Sequence, residues 1–269
     1  MKETATEKDI LWLDGNNAQR NWDDVFAHFY HKGRGEIYPN ELKFWRRLCA
    51  GRDNVLEIGA GNGFIARELA NADIKTLTLI EPEPANTKIL RAIRPERPAS
   101  TAIIVEEKLF QDYTPPNGTL QDVIYTSWDN LVMFTEKEMR RSLFMRVSAL
   151  LNPGGLFASH ISSRNWNRKV FEKLRTPKIF DMDLDHYGKA SIEYRIEHIE
   201  SDRYRKFIVI TLPSGERKTY ILPTEAIAMS EVMEHAAEAG LALIEHSADY
   251  SGTAIGENPD DHVFVLKKR

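Results

Sequence analysis

The sequence predicts an α/β fold, and three observations support that class. Short apolar runs alternate with helical patterns between residues 54 and 163, as expected for parallel strands joined by helices. A glycine-rich turn separates the first apolar run from the first helix of this region. The 269 residues, of which 42% are hydrophobic, suffice for one large domain, or for one domain with a cap.

Composition excludes several other classes of protein. The net charge is −4, with 36 basic and 40 acidic residues, so no general attraction to nucleic acid is expected. Cys49 is the only cysteine, which rules out an intrachain disulfide, and the eight histidines are scattered along the sequence; we therefore expect no metal. The N-terminal residues are charged and lack an apolar core, and no run has the length of a membrane span. We predict a cytoplasmic protein without a membrane partner.

The glycine-rich turn is the most informative stretch. Residues 55–58 form an apolar run that is typical of a buried strand, and glycines follow at alternate positions, Gly59, Gly61 and Gly63. Glycine lets the backbone turn tightly and lets a ligand approach closely. The dinucleotide fingerprint would need a sixth-position glycine where this chain has Phe64.

Two acids accompany the turn. Glu57 stands two residues ahead of Gly59, and Glu81 directly follows the second predicted strand, residues 76–80, at 22 residues from Gly59. A carboxylate at the end of a second strand can accept hydrogen bonds from both hydroxyls of a ribose.

This turn, with its preceding acid, resembles the first motif of the class I S-adenosylmethionine-dependent methyltransferases. Further features agree in order with that family: Glu81, then Asp122 at the start of the fourth strand, then Pro153 and two glycines ahead of the fifth strand. The resemblance is strong over about residues 50–163 and extends by pattern to the last helix and hairpin. It implies a Rossmann-like seven-stranded methyltransferase sheet with a C-terminal antiparallel hairpin.

Two further segments complete the predicted organisation. Residues 1–50 are rich in aromatic side chains and form an N-terminal helical cap or lid, ahead of the core at 51–163. Residues 164–223 contain alternating runs that predict an inserted segment of antiparallel strands on the substrate side. This segment resembles that of bacterial small-molecule methyltransferases, and residues 224–269 supply the last helix and closing hairpin.

The resemblance implies S-adenosyl-L-methionine as cofactor and S-adenosyl-L-homocysteine as product. Glu57 would accept from the amino group of the cofactor, directly or through water, although a strand-end acid can instead serve only backbone donors. Leu109 and Phe110 would line the adenine. The predicted cofactor-binding residues are Glu57, Gly59, Ala60, Gly61, Gly63, Glu81, Pro82, Leu109, Phe110, Ser127 and Trp128.

The acceptor side offers fewer signals. Asp129 and His160 are the candidate general bases, since both fall near the carboxyl ends of predicted strands. Four aromatic residues are candidates for contact with the acceptor, although each could simply pack on the sheet: Trp22, Phe26, Tyr30 and Tyr194.

We therefore expect in-line methyl transfer to a nitrogen or oxygen atom of a small-molecule acceptor. The N-P-P-Y signature of enzymes that methylate planar nitrogens is missing, because residues 126–130 read TSWDN. A non-catalytic protein that binds the cofactor or its product remains an alternative, as does a nicotinamide-dependent oxidoreductase, which the glycine spacing disfavours. A homodimer is compatible with the sequence.

Overall fold

The computed structural model describes residues 22–34, 37–95 and 101–269. The helices of these residues are α1 (Asp24–Arg34), α2 (Pro39–Cys49), α3 (Phe64–Leu69), α4 (Pro84–Leu90), α5 (Lys137–Leu150), α6 (Arg164–Leu174) and α7 (Met229–Glu238). Their strands are β1 (Arg52–Ile58), β2 (Ile74–Ile80), β3 (Ala102–Glu106), β4 (Gln121–Thr126), β5 (Leu151–Ser162), β6 (Lys178–Asp183), β7 (Lys189–Glu200), β8 (Arg203–Thr211), β9 (Arg217–Glu225), β10 (Leu241–Ser247) and β11 (Asp261–Lys268). The part of the predicted lid that falls at residues 1–21 lies outside the described residues.

The main sheet has seven strands in the order β10-β11-β5-β4-β1-β2-β3. Strands β1 to β5 pair in parallel, whereas β11 runs antiparallel to both β5 and β10. The predicted seven-stranded α/β sheet with a closing antiparallel hairpin is confirmed.

The central strands are apolar along their length because both faces of the sheet are covered. Neighbouring residues of β1 alternate between two cores, so that Val55 packs on one side and Leu56 on the other. Both side chains are completely buried. This double burial explains why β1 leads into the glycine turn as an unbroken apolar run.

A second sheet has four antiparallel strands in the order β6-β7-β8-β9. It follows α6 and precedes α7, as predicted for the inserted segment. Strand β6 was not predicted, because its sequence mixes charged and apolar residues and its side chains are largely exposed.

Local sequence signals misplace two helix starts. Residues 135–138 read TEKE, which predicts a capping box that opens a helix at Thr135, but α5 begins at Lys137 after Glu136, without a side-chain cap. Thr224 is a residue type that favours the cap of the last helix, but β9 continues to Glu225 through its pairing with β8. At Thr224, pairing with β8 thus overrides the local helix signal.

Helix α1 bridges the two sheets. Near its start, the ring centroid of Phe26 lies 4.6 Å from that of Tyr220 on β9. Near its end, the ring of His31 stacks on Phe64, the first residue of α3, at 5.0 Å. The helix therefore spans from the inserted sheet to the glycine turn.

No helix in the described ranges is both long and apolar enough to cross a membrane.

Candidate active site

The glycine turn is fixed to the end of the neighbouring strand β2. The backbone N–H groups of Gly59 and Ala60 donate to the carbonyl of Ile80 at 2.9 and 3.0 Å. The turn therefore lies at the carboxyl ends of β1 and β2, where open α/β sheets bind their ligands.

Glu81 joins the turn to the segment that follows β2. Its Oε2 accepts from the backbone N–H of Gly61 at 2.8 Å, and its Oε1 accepts from Glu83 N–H at 3.1 Å and Asn86 Nδ2 at 3.2 Å. The side chain is only 3% exposed. A carboxylate has about four acceptor positions, so a ribose would have to share or replace these donors.

Gly61 and Gly63 have different roles in the turn. A Cβ on Gly61 would meet nothing within 4 Å, so the space beside its backbone is open to a ligand. A Cβ on Gly63 would lie 2.7 Å from side-chain carbons of both Leu90 and Ile93. The structure thus gives Gly63 a packing role between α3 and the α4 region.

This contrast predicts that replacing Gly61 mainly affects ligand binding, whereas replacing Gly63 mainly affects stability. Both residues have positive φ, +55° for Gly61 and +82° for Gly63. Gly63→Ala should lower the free energy of unfolding by about 1–3 kcal/mol because of overpacking. Gly61→Ala should cost only about 1 kcal/mol of backbone strain but weaken S-adenosylhomocysteine binding at least ~10-fold, or roughly 1.4 kcal/mol.

Urea unfolding and calorimetric titration of the two variants check this expectation. Equal affinities in Gly61→Ala and the unchanged chain would contradict a ligand position beside Gly61.

Side chains of the β4 region hold Glu57. Its Oε2 accepts from Tyr125 Oη at 2.9 Å and its Oε1 from Ser127 Oγ at 3.3 Å, both from the region of β4. The carboxylate is 1% exposed. The acid ahead of the turn therefore connects β1 to Ser127, one of the predicted cofactor-binding residues.

Asn130 is a site residue that sequence reasoning missed. Its Nδ2 donates to the carbonyls of Ile58 and Gly59 at 3.2 and 2.9 Å. A Cβ on Gly59 would lie 2.5 Å from that nitrogen, so a glycine at 59 allows the close approach. Trp128 and Asp129, immediately before it, both adopt positive φ angles, which turn the chain back towards β1. The polar run after β4 was the available signal.

The two candidate bases already have partners. Asp129 accepts hydrogen bonds from the backbone N–H of Ser162 and from its Oγ, the latter at 2.5 Å. His160 Nε2 lies 3.0 Å from Asp261 Oδ1 on the adjacent strand β11. Burial lowers the pKa of His160, but its hydrogen bond to Asp261 and the charges of Asp129, Asp261 and Glu41 raise it overall.

Comparison with known proteins identifies the fold. A methyltransferase from Clostridium acetobutylicum, described as S-adenosylmethionine-dependent, superposes with a TM-score of 0.69 at 16% identity, over 90% of this chain and 97% of that one. The sugar N-methyltransferase KedS8 from Streptoalloteichus gives 0.66 at 16%, over 90% and 92%. The SAM-bound amino pentose methyltransferase CalS10 from Micromonospora echinaspora gives 0.62 at 14%, over 90% and 95%. The fold is that of the class I S-adenosylmethionine-dependent methyltransferases.

No family model and no curated protein matches the sequence itself. The methyltransferase fold also argues against the nicotinamide alternative. A doubly wound dinucleotide fold continues with a sixth parallel strand, whereas here the strand next to β5 is the antiparallel β11.

Within the methyltransferase fold, the predicted adenine residues follow β3. Leu109 is 39% exposed, whereas Phe110 is 5% exposed and packs in the core. The guanidinium of Arg146 lies over the Phe110 ring, 5.7 Å from its centroid. Pro82, next to Glu81, is half-buried. Their contact with adenine stays a prediction.

The predicted acceptor residues meet in one cluster between α1 and the inserted sheet. Phe26 is fully buried there, so its side chain serves the packing of α1 against Tyr220. Trp22, Tyr30 and Tyr194 are only partly buried in the same cluster. Burial raises the pKa of Tyr194 to about 12, so its hydroxyl stays protonated at neutral pH.

Lys206 on β8 is a second residue that sequence reasoning missed. Tyr194 pairs in register with Ile208, so Lys206, two residues away, lies on the same face of the sheet. Among the residues that the structure describes, no hydrogen bond or ion pair reaches its ammonium group. Burial lowers the pKa of Lys206, and the charge of Asp129 partly opposes that shift. Asp129 thus acts electrostatically on groups of both sheets.

Proposed function

We propose that this chain is an S-adenosylmethionine-dependent methyltransferase acting on an amine nitrogen of a small-molecule acceptor, with a hydroxyl oxygen as the alternative acceptor atom. One observation carries the proposal. In a methyltransferase fold, the buried Glu81 holds the N–H of Gly61, and the space beside Gly61 is open.

The residues present fit the cofactor. Glu81 offers carboxylate oxygens to ribose hydroxyls, the backbone beside Gly61 admits a close neighbour, and Glu57 with Ser127 provides acceptors and a hydroxyl for a charged amino-acid end. S-adenosylmethionine, when bound, supplies a methyl group on a cationic sulfur that is already activated towards a nucleophile.

The protein then has two tasks, to align the acceptor and to exclude water. Helix α1 reaches from Tyr220 of the inserted sheet to Phe64 beside the glycine turn. It can cover the space beside the glycine turn on one side. In well-oriented systems, alignment of this kind lowers a barrier by up to about 7–11 kcal/mol.

A protonated amine must also lose its proton before it attacks. Asp129 lies in the segment that directly follows β4 and would attract an ammonium group. Lys206, whose pKa burial lowers, and His160, whose pKa is raised, both feel the charge of Asp129. We assign Asp129 to holding the cationic acceptor, and Lys206 to the acceptor side of the pocket.

The nature of the acceptor rests on the likeness to known structures. KedS8 is described as a sugar N-methyltransferase and CalS10 as an amino pentose methyltransferase. Each superposes over 90% of this chain. An amino sugar is therefore the acceptor to test first.

Two measurements test the proposal. Titration with S-adenosylhomocysteine should show micromolar binding in a calorimeter, and a flat titration would refute the cofactor assignment. A panel of amino sugars, other amines and hydroxyl compounds should then include one that releases S-adenosylhomocysteine from S-adenosylmethionine. Binding without turnover across the panel would instead favour the non-catalytic alternative.

Lys206→Met gives a prediction that separates a role in the pocket from a role in folding. An unpaired, desolvated ammonium is costly, so the variant should unfold with a free energy higher by about 1 kcal/mol at pH 7. Its kcat/KM with the acceptor should fall at least ~10-fold, equivalent to roughly 1.4 kcal/mol of transition-state stabilisation.

The pH dependence provides the check. The pKa of Lys206 is lower in the folded chain than its ordinary value of 10.5. The charged ammonium therefore destabilises the folded state fully at pH values below the folded pKa. This destabilisation is relieved as pH rises towards 10.5. Thermal unfolding should show the stability of the unchanged chain rising relative to that of the variant between the folded pKa and pH 10.5. Lys189→Met, at an exposed position, is the control, and a loss of stability in Lys206→Met would contradict this account.

A further inference from the structure

A cluster of two histidines and one aspartate lies outside the site described above. Asp24 and His28 stand four residues apart on α1, and His186 lies in the tight turn between β6 and β7. One potential ligand atom from each residue lies within 4.8 Å of the others. The cluster joins α1 to the inserted sheet, and His186 is more than 150 residues from the other two members in sequence.

The spacing suits a metal ion. His186 Nε2 and His28 Nε2 lie 3.6 and 3.9 Å from Asp24 Oδ2. Tetrahedral bonds of about 2.0–2.1 Å place ligand atoms roughly 3.3 Å apart, so a bound ion would draw His186 and His28 closer to Asp24 by roughly 0.3 and 0.6 Å.

The surroundings orient His28 as a ligand. Its Nδ1 lies 2.9 Å from Asp185 Oδ2, and Lys32 Nζ lies 2.7 Å from the other oxygen of that carboxylate. An imidazole that donates its Nδ1 proton to a carboxylate presents a lone pair at Nε2. Asp24 Oδ2 lies 3.9 Å from His28 Nε2 and accepts a hydrogen bond from Tyr187 Oη at 2.9 Å, so a bound ion would share this oxygen with the Tyr187 hydroxyl.

We propose that Asp24, His28 and His186 bind a divalent transition-metal ion, with zinc as the best match. Two imidazoles and one carboxylate are a ligand set that zinc accepts, with a fourth position left to water. Asp24 and His186 are 42% and 62% exposed, so the ion can enter from solvent. The bound ion fastens the start of α1 to the inserted sheet. This site does not depend on the proposed methyl transfer.

Zinc titration of the untagged, metal-free full chain tests the proposal. One equivalent should bind, and His28→Ala and His186→Ala should each weaken binding about 100-fold. Asp185→Asn keeps all three ligands and should weaken it about 10-fold. The side chains of His186 and Asp185 are 62% and 40% exposed, so the variants at these two positions should unfold thermally, without metal, like the unchanged chain.

His246→Ala is the matched control, because His246 Nε2 lies 3.0 Å from His262 Nδ1 and this pair is another place where zinc could bind. Undiminished binding in both His28→Ala and His186→Ala, or a loss confined to His246→Ala, would overturn the proposal. Hydrogen exchange adds a second readout: zinc should slow the amides of α1 but not those of α2, and equal protection in the two helices would refute the fastening of α1.

Discussion

Replacing Glu81 with alanine is expected to weaken S-adenosylhomocysteine binding by at least about 100-fold. The carboxylate holds the N–H of Gly61 at 2.8 Å and is the group proposed to accept from the ribose. Hydrogen bonds to a charged group are each worth about 1.5–3 kcal/mol, so two ribose bonds correspond to roughly 3 kcal/mol or more. Calorimetric titration measures the loss directly.

Two companion variants keep the test of Glu81 decisive. Glu81→Gln preserves the shape of the side chain but turns one acceptor into a donor, so its affinity should fall about 10-fold or more. Glu68→Ala removes an exposed acid of α3 that pairs with Arg46 and should bind normally. Unchanged affinity in a folded Glu81→Gln would mean that the ribose is held elsewhere.

Arg140→Ala is expected to lower the free energy of unfolding by about 3–5 kcal/mol. Arg140 is 2% exposed, and its guanidinium donates to Glu231 at 2.6 Å, to Glu225 at 3.1 Å and to the carbonyl of Phe134. It thereby ties α5 to α7 and to the end of β9. Loss of the guanidinium would leave the largely buried carboxylates of Glu225 and Glu231 without the cation that they share. Removing one partner of a buried ion pair is strongly destabilising because the remaining charge is left uncompensated.

The neighbouring residue supplies the control. Arg141 lies on the same helix but is 52% exposed, and it pairs with Glu238; its replacement by alanine should cost at most about 1 kcal/mol. Thermal unfolding should place the two variants roughly 10 °C apart. Equal losses of thermal stability in the two variants would contradict the stabilising role assigned to Arg140.

The same network makes stability depend on pH. Burial raises the pKa of Glu231, but hydrogen bonding to Arg140 and the charge of Arg140 lower it overall, below its ordinary 4.5. The resulting stabilisation is present above that ordinary value and is lost as pH falls through the folded pKa. Glu231→Gln should remove this part of the acid sensitivity in unfolding experiments.

Features encoded in neighbouring residues were predictable from the sequence. The glycine turn, Glu57 ahead of it and Glu81 after the next strand all follow from local patterns, and Glu81 indeed reaches Gly61. The alternating runs of β7 and β8 likewise predicted antiparallel pairing. In each case a strand or turn is specified by residues within a single stretch of chain.

Features that depend on distant partners were not predictable. Asn130 approaches Gly59 because two residues with positive φ precede it, and no local propensity indicates that turn. Lys206 looks like an ordinary polar residue of a half-exposed strand until the inserted sheet places it near Asp129. His28 and His186 are scattered in sequence and meet only because α1 packs against the turn after β6.

The position of β11 has a consequence for synthesis. On the edge of β5 that faces away from β4, seven residues, Leu156 to Ser162, pair with residues 261–267 of β11. At about 5–20 residues per second, the ribosome needs roughly 5–20 s to add the 100 or so residues in between. During that interval one edge of β5, with the apolar Phe157 and Ala158, has no strand beside it, and unpaired edges invite aggregation. The nascent chain is therefore most vulnerable after the inserted sheet has emerged and before β11 closes the sheet.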